Sequence, residues 1–393
     1  MGLEKVLQWW GDNVDSEVKF KRRKFLLKTF GAFLDLEGKT GNALEAMVSE
    51  ACLLSRKEKR QVDINIDGTW DIQKAHLDIL PGANIKLCGG GKIINTLVDK
   101  AGQIESLFEW GSQKHNILDI SLPFGSELTI ENLIVDGGWE DINASDKRAE
   151  SPWDALVRIK SEGGKVNLKN LEFANSINPG ITVDGAGECR AIGLKGDKLD
   201  ACLVVTTTSK NVFVGDCTAT NMLSDGFMFA GNTNVRASNL KVEGSPHGIM
   251  LHGNTDAKLT TCEVRGSMEA FNTSNYGKIN RAGKAMFDGC SSSGCLIPFA
   301  FSDTDEISVV GGIHDNVGGP NDFLRGRLET PLISVYVKTV KELEFNGVIM
   351  RLDPNKLDGY QTPHFYGLVY QYYRSADSRI RGIYRNLQEF RGT

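Results

Sequence analysis

Between residues 60 and 80 the chain alternates apolar and polar positions. "QVDINIDGTWDI" and "AHLDIL" put an apolar residue at every second place, the pattern of short strands with one buried face. Pro81-Gly82 and Gly89-Gly90-Gly91 divide "HLDILPGANIKLCGGGKII" into further strands. The pattern then recurs. "LTIENLIVDGG" (128–138), "VNLKNLEFANS" (166–176), "VFVGDCTATNM" (212–222), "VRASNLKVEGS" (235–245), "AKLTTCEVRGS" (257–267) and "AMFDGCSSSGC" (285–295) share one template, with Leu133, Leu171, Cys217, Leu240, Cys262 and Cys290 in one slot. From Leu171 to Cys217 is a double step, and the next steps are 23, 22 and 28 residues. A period in the low twenties, filled by three short strands and Gly-rich turns, predicts a solenoid whose coils stack on one another. The expected fold is all-β, a single-stranded parallel β-helix. The L-x-x-L-x-L frame of a leucine-rich repeat is absent.

Outside the repeat the pattern changes. "VKFKRRKFLLKTF" (18–30) is basic and amphipathic and reads as a solvated element with one buried face. "KTGNALEAMVSEACLLSR" (39–56) has apolar residues at helical spacing, Thr40 or Asn42 as N-cap and Glu45 close behind, and predicts a helix. Past residue 330 the repeat fades into "HFYGLVYQYYRSADSRIRGIYRN", an aromatic and basic tail suited to capping the solenoid or to a subunit contact. The expected organisation is an N-terminal segment and capping helix (1–60), a β-helix (61–330), and C-terminal strands with a cap or oligomer contact (331–393).

Composition narrows the possible chemistry. In 393 residues there are 43 Gly and only 10 Pro, as suits a turn-rich β protein. The net charge of -5 gives no basic field for nucleic acid. No apolar run approaches the ~18 residues of a membrane span, so membrane insertion is not expected. A chain without a secretory signal peptide is expected to be made in the cytoplasm. The eight cysteines form no C-x-x-C pair. Cys217, Cys262 and Cys290 share the inward slot with leucines, so they read as small buried hydrophobes. "DTDE" (303–306) lacks the spacing of a calcium loop, and neither metal nor cofactor is expected.

The candidate site comes from aligning the strand after each repeat. "DACLVV", "DGFMFA", "HGIMLH" and "EAFNTS" place Asp200, Asp225, His247 and Glu269 in one column, one coil apart. His252 falls in a second column with Asp184, Ala230, Ser274 and Ser302. Alternation puts Ile249 and Leu251 inside, and leaves Met250 and His252 on an exposed face. With coils about 4.8 Å apart, Asp200 and Asp225 would be neighbours. Asp225 and Glu269 would stand about 9.6 Å apart at the backbone, near the spacing of an inverting glycosidase pair, with His247 between them. These four are the catalytic candidates. The competing reading of such a ladder is that it satisfies turn backbone groups. The insertion "NTSNYGKINRAGK" (272–284) brings Tyr276, Lys278, Arg281 and Lys284 toward the same face. With His252, and with Trp139 or Trp153 as stacking platforms, they are candidates for binding an acidic sugar.

One block of the chain resembles a known superfamily. Phe30-Gly31-Ala32, the helix near Thr40 to Leu53, Gly68-Thr69-Trp70 and Gly89-Gly90-Gly91 follow in order. They are similar to the N-terminal cap of the pectate-lyase-like right-handed β-helix superfamily, in its bacteriophage tailspike form. The resemblance implies a polysaccharide-binding and depolymerising protein, a hydrolase before a lyase, assembled as a homotrimer on a virion tail. Two alternatives stay open: a non-catalytic adhesion or virion β-helix, and a lyase or epimerase of uronic-acid polymers with Lys278, Arg281 or His252 as base.

Overall fold

Each two-residue corner between one strand and the next needs a residue with left-handed backbone, and the sequence supplies the types that tolerate it. Asn132, Asn170, Gly193, Asp216, Asn239, Thr261, Gly289, Gly311 and Gly347 all have φ between 49° and 71° at the same corner of successive coils. Their side chains stack as well. Asn170 Nδ2 donates to Asn132 Oδ1 (3.1 Å), and Asn239 Nδ2 donates to Asp216 Oδ1 (2.9 Å). The bend is thus tied to the coil before it.

The result, in a computed structural model, is a right-handed parallel β-helix. It describes residues 40–72, 74–95, 117–138, 155–176, 178–199, 202–274, 282–317, 333–338, 340–352, 367–372, 381–385 and 388–391. Each coil but the last gives one strand to each of three parallel sheets, of 12, 12 and 11 strands among the described residues. The first sheet begins with Val62–Asn65, the second with Thr69–Asp71 and the third with Ala75–Asp78. The repeat slot follows the left-handed corner and is buried in seven successive coils: Leu133, Leu171, Leu194, Cys217, Leu240, Cys262 and Cys290 are all at most 1% exposed. Leu194 fills the coil hidden in the double step, where "ECRAIGLKGDKL" is too polar and glycine-rich to match the template. Burial explains the cysteines as the sequence suggested. It pushes the Cys189 and Cys217 thiols up to about 12 and Cys295 to about 11, which keeps them protonated and inert.

At the N-terminal end the helix Gly41–Glu58 lays Leu44, Val48, Ala51, Cys52 and Leu54 over the first coil. Thr40 holds the N-cap position in extended backbone, but its side chain makes no capping hydrogen bond. Glu45 does not close a capping box; its Oε1 accepts the backbone N–H of His76 (2.7 Å) and ties the helix to the third sheet. The basic segment 18–30 lies outside the described residues. The strand ladder does not stop near residue 330. Ile333–Lys338, Glu342–Asn346 and Ile349–Leu352 pair in register with the preceding coil, and Gly367–Tyr372, Arg381–Arg385 and Gln388–Arg391 with them.

Toward the C-terminal coils the filling of the helix changes from aliphatic to aromatic. Phe271, Phe287, Phe299 and Phe301 pack with ring centroids 5.3 to 5.9 Å apart. The His314 ring stands edge-on to Phe299 at 4.6 Å, fully buried, with Nδ1 sharing a hydrogen bond with Ser292 Oγ (2.8 Å) and Nε2 without a partner. Burial among rings drives its pKa down to about 3, so the native state keeps it neutral. An unfolded chain takes up a proton there near pH 6.5, so stability falls as pH drops below that value and levels off near pH 3. We expect His314→Gln to remove a loss on the order of 3 kcal/mol between pH 7 and pH 4. Denaturant midpoints measured across that range for both proteins test this, and parallel curves would refute it.

Candidate functional site

The third sheet carries the ionisable column. Asp225–Ala230, His247–His252 and Glu269–Ser274 are consecutive strands, and the register pairs Asp225 with His247 and His247 with Glu269. Ile297 ends the row on the next coil. On the preceding coil, Val204 pairs with Phe227, which brings Cys202 rather than Asp200 opposite Asp225. Cys202 Sγ lies 3.8 Å from Asp225 Oδ2. The Asp200–Asp225 neighbourhood expected from a 25-residue step is therefore replaced by a 23-residue step, and Asp200 itself lies outside the described residues.

Local sequence explains why these side chains sit where they do. Asp225 and His247 are each followed by glycine. A Cβ on Gly226 would come within 2.5 Å of Val242 Cγ2, and one on Gly248 within 2.3 Å of the Ala270 carbonyl oxygen. Only glycine lets the chain enter the third sheet that close to its neighbours. At the far end of the same strands, a buried amide ladder fixes the exit. Asn232 N–H donates to Asn254 Oδ1 (3.0 Å), Ser209 N–H to Asn232 Oδ1 (3.0 Å), and Asn254 Nδ2 to the Phe229 carbonyl (2.8 Å). Both ends of the Asp225 and His247 strands are thus held by packing and hydrogen bonds.

Within the row, His247 Nδ1 is 2.7 Å from Asp225 Oδ1. A carboxylate only accepts, so Nδ1 carries the proton of this bond, and Nε2 is the nitrogen not engaged by Asp225. Asp225 is 7% exposed, with one oxygen on His247 and the other against Cys202, while the His247 side chain is 27% exposed. Glu269 is half-buried, and its Oε2 accepts a hydrogen bond from Asn272 Nδ2. Cys202 and Asn272 were not legible in the sequence. Strict alternation puts residues 269 and 272 on opposite faces, and the bend at the strand entrance is what brings them together.

The second column runs Asp184, Thr207, Ala230, His252, Ser274. His252 is in its expected row but is not displayed. It is 3% exposed, with Nδ1 hydrogen-bonded to Ser274 Oγ, and Met250 beside it is buried as well. Desolvation lowers the His252 pKa, Asp225 pulls it back up and His247 pushes it down, so the ring is a neutral prop under the face. Lys284 leaves the expected loop: it belongs to the first-sheet strand Ala282–Asp288 and pairs with Glu306. Tyr276, Lys278, Arg281, Trp139 and Trp153 lie outside the described residues. No group of three or more metal-ligating side chains forms among the described residues.

No protein-family model matches the chain, and no curated protein matches its sequence. Solved structures do. A tailspike protein of E. coli bacteriophage HK620 superposes with a TM-score of 0.53 at 11% identity, over 88% of this chain and 61% of that one. Endopolygalacturonase I from Stereum purpureum gives 0.47 at 12% identity, over 88% and 98%. The chain thus spans about three fifths of the tailspike structure, and at this identity the likeness is one of fold.

Gly248→Ala is expected to destabilise the protein by about 1–3 kcal/mol, the cost of forcing a methyl into a packed site. The neighbouring strand entrance must shift, so the His247 ring resonances should move as well. A thermal midpoint and an imidazole NMR spectrum identical to wild type would show that the close approach does not position the row.

Proposed function

We propose that this chain, a pectate-lyase-like right-handed parallel β-helix, binds a bacterial surface polysaccharide along its third sheet and cleaves glycosidic bonds there by hydrolysis. The reading rests on the row of Asp225, His247 and Glu269, with His247 Nδ1 held 2.7 Å from Asp225. Asp225 acts through His247. It fixes the tautomer and supports the imidazolium, which gives its Nε2 proton to the glycosidic oxygen as the C–O bond breaks. Glu269, one coil on and so at the short spacing of a retaining pair, bonds to the anomeric carbon as that C–O bond breaks. The neutral His247 then takes a proton from the water that displaces Glu269. One water is consumed and one new reducing end appears. The roles differ from the pairing of Asp225 with Glu269 expected from spacing alone, because Asp225 is nearly buried and already engaged on both oxygens.

His247→Ala should lower turnover about 10²- to 10⁴-fold, the range for losing general acid–base catalysis, and Glu269→Gln at least as much. Asp225→Asn should do so through His247, with a changed pH profile. The measurement is release of reducing ends from a panel of capsular and lipopolysaccharide polymers. Activity kept in all three variants would sink the assignment. Products absorbing in the ultraviolet as unsaturated uronates would make the enzyme a lyase. Binding with no release by the wild type would make it an adhesion module.

The same reading extends to assembly as three copies on a phage tail, a setting in which the tyrosine- and arginine-rich tail supplies subunit contacts. Light scattering should then give three times the 43.1 kDa chain mass at micromolar concentration. A monomer would overturn that part.

A further inference from the structure

The outward face of the first sheet holds a groove of about 380 Å³, away from the sheet that carries the Asp225 row. It spans the strands Glu188–Ile192, Asn211–Gly215 and Asn234–Ser238, which pair in register. Along these strands Cys189, Ala191, Val212, Val214, Val235 and Ala237 point inward and are at most 2% exposed. Alternation therefore turns two rows outward, Arg190–Phe213–Arg236 and Glu188–Asn211–Asn234.

Phe213 is 37% exposed, one of few large apolar side chains on the described surface. Its ring leans over Gly215, where a Cβ would lie 3.2 Å from ring Cε1, so glycine there lets the ring lie down on the sheet. The Arg190 guanidinium rests 5.3 Å from the ring centroid. The other charges of the groove are matched. Arg236 pairs with Asp256 at 2.6 Å, and Glu188 Oε1 is 3.7 Å from Lys165. Among the described residues Arg190 forms no ion pair with a carboxylate, and its guanidinium is turned to the ring. Beside it the amides of Asn211 and Asn234 are joined by a 3.3 Å hydrogen bond, and Asn211 Nδ2 also donates to the Gly187 carbonyl (3.4 Å).

A planar cationic fork, an apolar ring and a pair of amides match a carboxylate-bearing sugar. The fork takes the carboxylate, the ring takes the C–H surface, and the amides take hydroxyls. We propose that this groove is a second, non-catalytic saccharide site, specific for an acidic sugar residue. It would hold a polymer on one flank of the solenoid while the third sheet works on another, and it stands whether or not the third sheet cleaves.

The test is calorimetric titration with short oligogalacturonates and sialyl-oligosaccharides, alongside their carboxyl-reduced counterparts. Arg190→Gln should weaken binding of the acidic forms about tenfold or more, the loss expected for one charge-assisted contact, and leave the reduced forms unchanged. Phe213→Ala should weaken both forms. Arg190→Lys, which keeps the charge, should retain part of the affinity, and thermal midpoints should match wild type in all three. Equal affinity in Arg190→Gln, or no binding of any acidic probe by the wild type, would overturn the site. So would affinity lost in Glu269→Gln but not in Arg190→Gln, which would place the ligand on the third sheet. A change of mass by light scattering in the Phe213 or Arg190 variants would make the face a subunit contact instead.

Discussion

Everything in this molecule depends on the parallel backbone hydrogen bond between one coil and the next. It sets a rise of about 4.8 Å per coil and repeats it with little freedom, so a side chain's position is fixed by its coil and its place within the coil. The bond holds only if each coil bends at the same points. Left-handed residues such as Asn170, Asp216 and Asn239 supply the bends, and their stacked amides and carboxylates pass the geometry onward. Repetition turns a one-dimensional pattern into rows, and rows are how this fold gathers groups distant in sequence.

That is why so much was legible. The slot of Leu133, Leu171, Cys217, Leu240, Cys262 and Cys290 implies the period, and the period implies the row of Asp225, His247 and Glu269. What failed did so where period-two alternation or constant coil length fails. Asp200 was aligned on an assumed step that the register does not take. His252 was given an outer face on alternation alone, yet the outer face of the third sheet is buried at that point. Asn272 reaches Glu269 only because the strand bends at its entrance. Burial across a face and bends at corners are tertiary facts, and no local pattern encodes them. Past residue 330 the coil ladder persists after the sequence template has dissolved, because parallel pairing is made by backbone groups that every residue type but proline carries.

The interior also divides the molecule along its axis. Aliphatic coils give way to a block of stacked phenylalanines near Phe271, Phe287 and Phe299, with His314 set among them. A neutral imidazole there contributes shape and one hydrogen bond to Ser292, at the cost of sensitivity to acid. The polar and charged rows sit elsewhere. Asp225 and His247 are on the third sheet, Arg190 and Arg236 on the first. Chemistry can therefore change on a flank without repacking the centre.

The 28-residue step between Cys262 and Cys290 shows how far that separation goes. The chain leaves the third sheet at Ser274, re-enters the first sheet by Ala282, and pairs Asp256 with Lys284 in the same frame that served the shorter coils. A corner can thus absorb added length without shifting the lattice beside it. Such corners are sockets. A recombination event could plug a foreign segment into one and change what the protein grips, in a single generation, while the row beside it stayed aligned.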